Sequence, residues 1–160
     1  MDAPAAQYVT TEDGYDIAYG VLGKGTPVLF PPFIHSHLQL DWTNDLIIAR
    51  RSRILGRLAE RFRVITFDNR GQGLSSRGLR DDITLSDFDL DTEAVAATIP
   101  ETEFIAVACA RASHLAVRYA IHYPERVSAL VLISAQASMQ NMRYGLWDLL
   151  PDQDYTYQQC

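Results

Sequence analysis

Cysteine is nearly absent: the 160 residues hold two, Cys109 inside an apolar run and Cys160 at the last position. Two such thiols build no disulfide framework and match no zinc spacing, and the composition suits a reducing cytoplasm. Basic residues are also in short supply, with 14 Lys and Arg against 20 Asp and Glu, a net charge of −6, and no basic stripe. That balance argues against a nucleic-acid partner. Apolar runs such as Pro27 to Ile34 fall far short of the roughly 18 residues of a membrane span, and Met1-Asp2-Ala3-Pro4 has no basic n-region. The expectation is a soluble, unexported, cytoplasmic chain with no membrane contact. There is no internal repeat, low-complexity tract or Pro/Gly/Ser-rich linker, and 48% hydrophobic with 21% charged residues is an ordinary globular balance. One domain is the simplest reading.

Strand and helix signals alternate along that domain. Tyr8-Val9-Thr10 and the period-two set Tyr15, Ile17, Tyr19 and Val21 flank the turn residues Glu12-Asp13-Gly14, which predicts an opening antiparallel hairpin. Pro27 to Phe30, Val64 to Phe67, Phe104 to Cys109 and Ala129 to Ile133 are unbroken apolar runs, the mark of strands covered on both faces. Between them, Ala112, Leu115, Ala116, Tyr119 and Ala120 follow helical spacing up to Pro124. Phe88, Thr92, Val95, Ala96 and Ile99 do the same between Ser86, read as the N-cap, and Pro100; Leu46 to Phe62 stripe an earlier helix. The fold class expected is α/β: an antiparallel hairpin, then a mostly parallel sheet of about six strands with helices on both faces. Right-handed crossovers place a ligand crevice at the carboxyl ends of the strands, where the loops at Pro31 to His37, Asp68 to Ser75 and Cys109 to Ala112 begin.

Four stretches, in order, resemble the alpha/beta-hydrolase superfamily. Asp68-Asn69-Arg70-Gly71-Gln72-Gly73-Leu74-Ser75 matches its D-x-R-G-x-G-x-S turn, and His122-Tyr123-Pro124-Glu125-Arg126-Val127 is typical of the approach to its next strand. Tyr15 to Gly20 and Pro27 to Phe33 occupy the places of its opening hairpin and of its third strand with the oxyanion loop. Ser36 to Trp42 further resembles hydrolase-like modules found beside LuxR-type regulators and adenylate cyclases in bacteria. The resemblance implies a core over residues 1–138 that lacks the last two strands of the fold, with 139–160 as the start of a cap region or a C-terminal tail. It also implies that the acid and histidine of the family's triad lie on segments not represented here.

The superfamily's nucleophile elbow is a strained strand-to-helix turn with small residues two before and two after an exposed serine. Ala108-Cys109-Ala110-Arg111-Ala112 stands in that place, with alanine where the family prefers glycine and with Ala110 at the apex. A methyl group has no lone pair, so no acyl-enzyme forms there. Neighbouring registers fail: Cys109 would need small residues at 107 and 111 and finds Val107 and Arg111, while Ser113 finds Arg111 and Leu115. Cys109 is read as a buried strand residue.

By the same resemblance the oxyanion donors are the backbone N–H groups of Arg111 and Phe33, with Pro31-Pro32 replacing a His-Gly pair. His35 and His37 are further ligand-binding candidates; as H-x-H they lack a third metal ligand, and no metal site is assigned. His114 and His122 are read as structural, and Asp68 with Arg70 as organisers of the loop. No cofactor is expected, since Gly71-x-Gly73 is too short for a dinucleotide fingerprint.

Three functions remain open on these residues. The favoured one is a catalytically incompetent hydrolase-like domain that binds a small molecule or a partner. The alternatives are a serine-type, esterase-like hydrolase truncated or altered at the nucleophile, and a fragment with no separate function. A sheet ending at its sixth strand leaves an edge that a second copy or a partner chain can pair with.

Overall fold

The structure, a computed structural model, describes residues 2–32, 37–39 and 49–135. Its strands are β1 (Gln7–Thr10), β2 (Asp16–Leu22), β3 (Pro27–Phe30), β4 (Arg63–Phe67), β5 (Phe104–Cys109) and β6 (Val127–Ile133). The helices are α1 (Ala49–Ala59), α2 (Leu85–Ala97) and α3 (Ser113–His122). The strands form one sheet in the order β1-β2-β4-β3-β5-β6. β2 runs antiparallel to β1 and β4, whereas β3 is parallel to β4 and β5, and β5 to β6. This is the mixed α/β architecture the apolar runs predict, with the antiparallel hairpin at one side.

Strict alternation along the inner strands divides the core into two layers. Val28 and Phe30 of β3, Val64 of β4, and Val107 and Cys109 of β5 pack with Leu55 and Ala59 of α1. The intervening Leu29, Ile65, Phe67, Ala106 and Ala108 face Val95 and Ala96 of α2 and Ala116 and Tyr119 of α3. Both faces of the central strands are therefore dry, as unbroken apolar runs require.

Two expectations shift. α2 begins at Leu85 with Thr84 as its cap in place of Ser86. Asp87 is the reason: its Oδ2 accepts from the Thr84 backbone N–H at 2.6 Å and from the Thr84 hydroxyl at 2.7 Å, which fixes the first turn two residues earlier. The run at Ala129 to Ile133 reads as covered on both sides, yet Leu130, Val131, Leu132 and Ile133 are 38, 44, 40 and 42% exposed. Among the described residues β6 has β5 on one side and no strand on the other. Residues 139–160, assigned to a cap or tail, lie outside the described residues.

Candidate functional site

β5 ends at Cys109 with extended backbone (φ −121°, ψ 141°). The next residue, Ala110, turns into the left-handed region at φ +48°, and the chain passes through a single 3₁₀ turn, Ala110–Ala112, into α3. A Cβ disfavours that conformation by about 1–2 kcal/mol, so the strain of the elbow is kept although the apex is alanine. Ala108 and Ala112, two residues to either side, are 0 and 3% exposed. Larger side chains would not fit where strand and helix draw together. Ala110 itself is half-buried and reachable from solvent.

The neighbouring nucleophile candidates are sealed away. Cys109 is 5% exposed and packs in the layer beneath α1. Ser113 is 2% exposed, and its Oγ is buried without a hydrogen-bond partner. Arg111 lies half-buried on the 3₁₀ turn, next to the apex as expected. Phe33 and His35 fall outside the described residues. His37 is half-buried, and its Nδ1 accepts the Gln39 backbone N–H at 3.2 Å, a local turn contact. His122 ends α3 with its ring edge-on to Tyr123. Among the described residues no three His, Cys, Asp or Glu side chains converge as a metal site.

The turn after β4 is held by its own motif. Asp68 is fully buried, and its Oδ2 accepts from the backbone N–H of Leu74 at 2.9 Å and of Leu38 at 3.2 Å. It thereby ties this turn to the loop after β3. Gly73 sits at φ +47° over that carboxylate, where any Cβ would overlap Asp68. Ser75 Oγ donates to the Asp68 carbonyl at 2.6 Å and accepts the Ala18 N–H at 2.9 Å, joining the turn to β2. Asp68, Gly73 and Ser75 thus each hold the turn in place.

Arg70, read with Asp68 as an organiser of the loop, finds its carboxylate partners outside the turn. Its side chain is 0% exposed and reaches past Asp68 to three other carboxylates. Nε donates to Asp91 Oδ1 at 2.7 Å, and the Arg70 backbone N–H donates to Asp91 Oδ2 at 2.9 Å. Nη1 and Nη2 grip Asp13 of the hairpin turn at 2.6 and 3.0 Å, Asp87 lies 3.9 Å away, and the guanidinium rests on the Tyr15 ring. The groups respond differently. Bonding to Arg70 holds Asp13 down at about 2. Burial pushes Asp91 up to about 6, because loss of water outweighs its share of a guanidinium divided among several acids. Arg70 is itself buried, yet its carboxylate partners more than offset that and raise its pKa. Nearby, Arg118 of α3 clamps Asp89 of α2 at 2.8 Å.

Sequence reasoning missed these buried acids. The available signal was Asp87 and Asp91, one helical turn apart and falling among Phe88, Thr92, Val95 and Ala96 on the side of α2 that is buried.

An apex in left-handed geometry between a buried strand and a helix is accompanied by a family match: residues 47–159 fit the model of the alpha/beta hydrolase fold. The chain belongs to that family. Among solved structures, this alpha/beta hydrolase-fold chain is similar to the thioesterase domain from the curacin biosynthetic pathway, at 20% identity and a TM-score of 0.68, over 88% of this chain and 51% of that one. It is also similar to an alpha/beta hydrolase from Sphaerobacter thermophilus, at 21% identity and a TM-score of 0.62, over 79 and 44% of the two chains. An epoxide hydrolase from Vigna radiata gives 20% identity and a TM-score of 0.62, over 81 and 40%. The chain spans about half the length of these structures or less, and the likeness concerns the fold alone. No curated protein matches it.

Proposed function

We propose that this alpha/beta hydrolase-fold chain is a catalytically incompetent binding domain. Ala110 carries the reading. It occupies the strained apex at φ +48° that positions a nucleophile in this fold, and it has no atom that can attack a carbonyl. The backbone around it supplies the proposed ligand contact: by the family's pattern the donor beside the apex is the Arg111 N–H. The ligand class this suits is a small, weakly polar molecule with one acceptor oxygen, bound at the carboxyl ends of β3 and β5, with no cofactor. Phe33, His35 and His37 are the residues proposed to contact it from the loop after β3.

The competing reading is a serine-type hydrolase altered at residue 110. Hydrolysis of short-chain p-nitrophenyl esters tests the incompetence, with a rate equal to the buffer blank expected; under the competing reading Ala110→Ser, in a chain completed by the family's remaining strands, gains esterase activity, and under the binding-domain reading it does not. Turnover by the unaltered chain that titrates with protein concentration would overturn the binding-domain reading.

A further inference from the structure

One guanidinium serves three carboxylates beside the hairpin turn. Asp13 reaches Arg70 from residues 11–15, which join β1 to β2, while Asp87 and Asp91 reach it from successive turns of α2. Arg80 lies 2.6 Å from Asp87 and 3.4 Å from Asp82, which is at the surface. Arg70 and Arg80 thus face Asp13, Asp87 and Asp91, an excess of one negative charge that a single proton balances.

Burial decides where that proton sits. The Asp91 side chain is 0% exposed, that of Asp87 11% and that of Asp13 21%. A charge costs most where water is absent, so Asp91 gives up its charge first. The other acids keep theirs: bonding to Arg70 holds Asp13 down at about 2, and hydrogen bonds from Thr84 hold Asp87 below the usual carboxylate range. Asp91, pushed up by burial to about 6, is the member of the cluster that titrates between acid and neutral pH. Of the elements packed on α2, α3 brings Arg118, which is clamped on Asp89, and β2 brings Asp16, which accepts from the Thr10 hydroxyl. Glu12 and Glu93 lie toward Tyr123, and β1 carries no charged residue.

Asp13 and Asp91 hold the same guanidinium, and the charge on Asp13 discourages one on Asp91. Asp91 is fixed on the buried side of α2 and tied a second time by the Arg70 backbone N–H at 2.9 Å. Asp13 belongs to a short turn that closes on itself through Thr11, whose carbonyl accepts the Gly14 N–H at 3.0 Å and whose hydroxyl oxygen accepts the Tyr15 N–H at 2.9 Å. The turn, nearest to water, is the arm that yields.

We infer that the cluster is a pH-sensitive latch on the turn between β1 and β2: a proton on Asp91 leaves Arg70 to Asp13 and locks the turn, and loss of that proton sets the two acids in competition and loosens it. Linkage fixes the direction. Opening removes the Asp13 charge from Asp91 and returns to it an undivided guanidinium, so Asp91 binds its proton more weakly in the open form and rising pH favours opening.

Hydrogen exchange followed by NMR on the full chain at pH 5 and pH 7, corrected for intrinsic rates, tests the latch. If the open form binds the Asp91 proton tenfold more weakly, protection of the Gly14 and Tyr15 N–H groups falls about fivefold from pH 5 to pH 7. Asp91→Asn cannot ionise and should protect these groups equally at both pH values. Asp13→Asn should lower the pH at which Asp91 titrates, read from its carboxyl carbon shift, and this readout stands even if Asp91→Asn does not fold. Four results would each overturn the proposal: equal protection in the wild type at the two pH values, turn amides that exchange only together with those of β3 and β5, a pH difference that persists in Asp91→Asn, or an Asp91 titration that Asp13→Asn leaves in place.

Discussion

Replacing Arg70 by methionine tests whether one buried guanidinium fastens the hairpin and α2 to the loops around the elbow. The substitution keeps an apolar stem but removes the Nε bond to Asp91 and both bonds to Asp13. Asp91, itself 0% exposed, retains the Arg70 backbone N–H as its donor. Removing one partner of a buried ion pair costs about 3–5 kcal/mol, since the other charge is left without compensation. For a chain of this size about 2–4 °C of melting temperature accompanies each kcal/mol, so the midpoint should fall by roughly 6–20 °C. The cost has an internal check. Asp91, already up at about 6 beside Arg70, rises further without it and takes up a proton, so the loss at pH 5 should be clearly smaller than at pH 7. Arg70→Lys restores a charge but has no planar fork to reach Asp13 and Asp91 together, and should recover less than half. Thermal and urea unfolding by circular dichroism, at fixed protein concentration and both pH values, is the assay. A loss under about 1 kcal/mol at pH 7, or one equal at the two pH values, would refute the reasoning.

Two further outcomes follow from individual residues. With its folded pKa raised, Asp91 ionises more readily in the unfolded chain, so its contribution to stability is full below the unfolded value and is lost as pH rises through about 6. Asp91→Asn should therefore gain on the wild type by about 1 kcal/mol between pH 5 and pH 7, and parallel stability curves would exclude the shift. Ala110→Gly relieves about 1–2 kcal/mol at the positive φ of the apex against an entropic cost of about 0.5–1 kcal/mol, and the net of about 0.5–1 kcal/mol should raise the melting temperature by about 1–4 °C; a fall would mean that the apex is not left-handed.

What the sequence disclosed follows from the range of the interactions involved. β3, β4 and β5 are continuous apolar runs because both faces are dry, and that is written locally. The Asp68 to Ser75 turn is legible because Asp68, Gly73 and Ser75 act on one another within seven residues. The elbow is equally local, so Ala110 could be placed before its φ was known. The partners of Arg70 are not local: Asp91 and Asp13 lie 21 and 57 residues away, and no spacing rule connects them. The apolar run of β6 records that both its faces suit burial but not what covers them.

The central claim is that the elbow persists with no nucleophile in it. Incubating the purified chain with a fluorophosphonate, which labels activated serines, and recording the intact mass addresses this directly. The account predicts an unmodified 18.0 kDa chain. A single stoichiometric adduct on any serine, Ser113 beside the elbow above all, would contradict it.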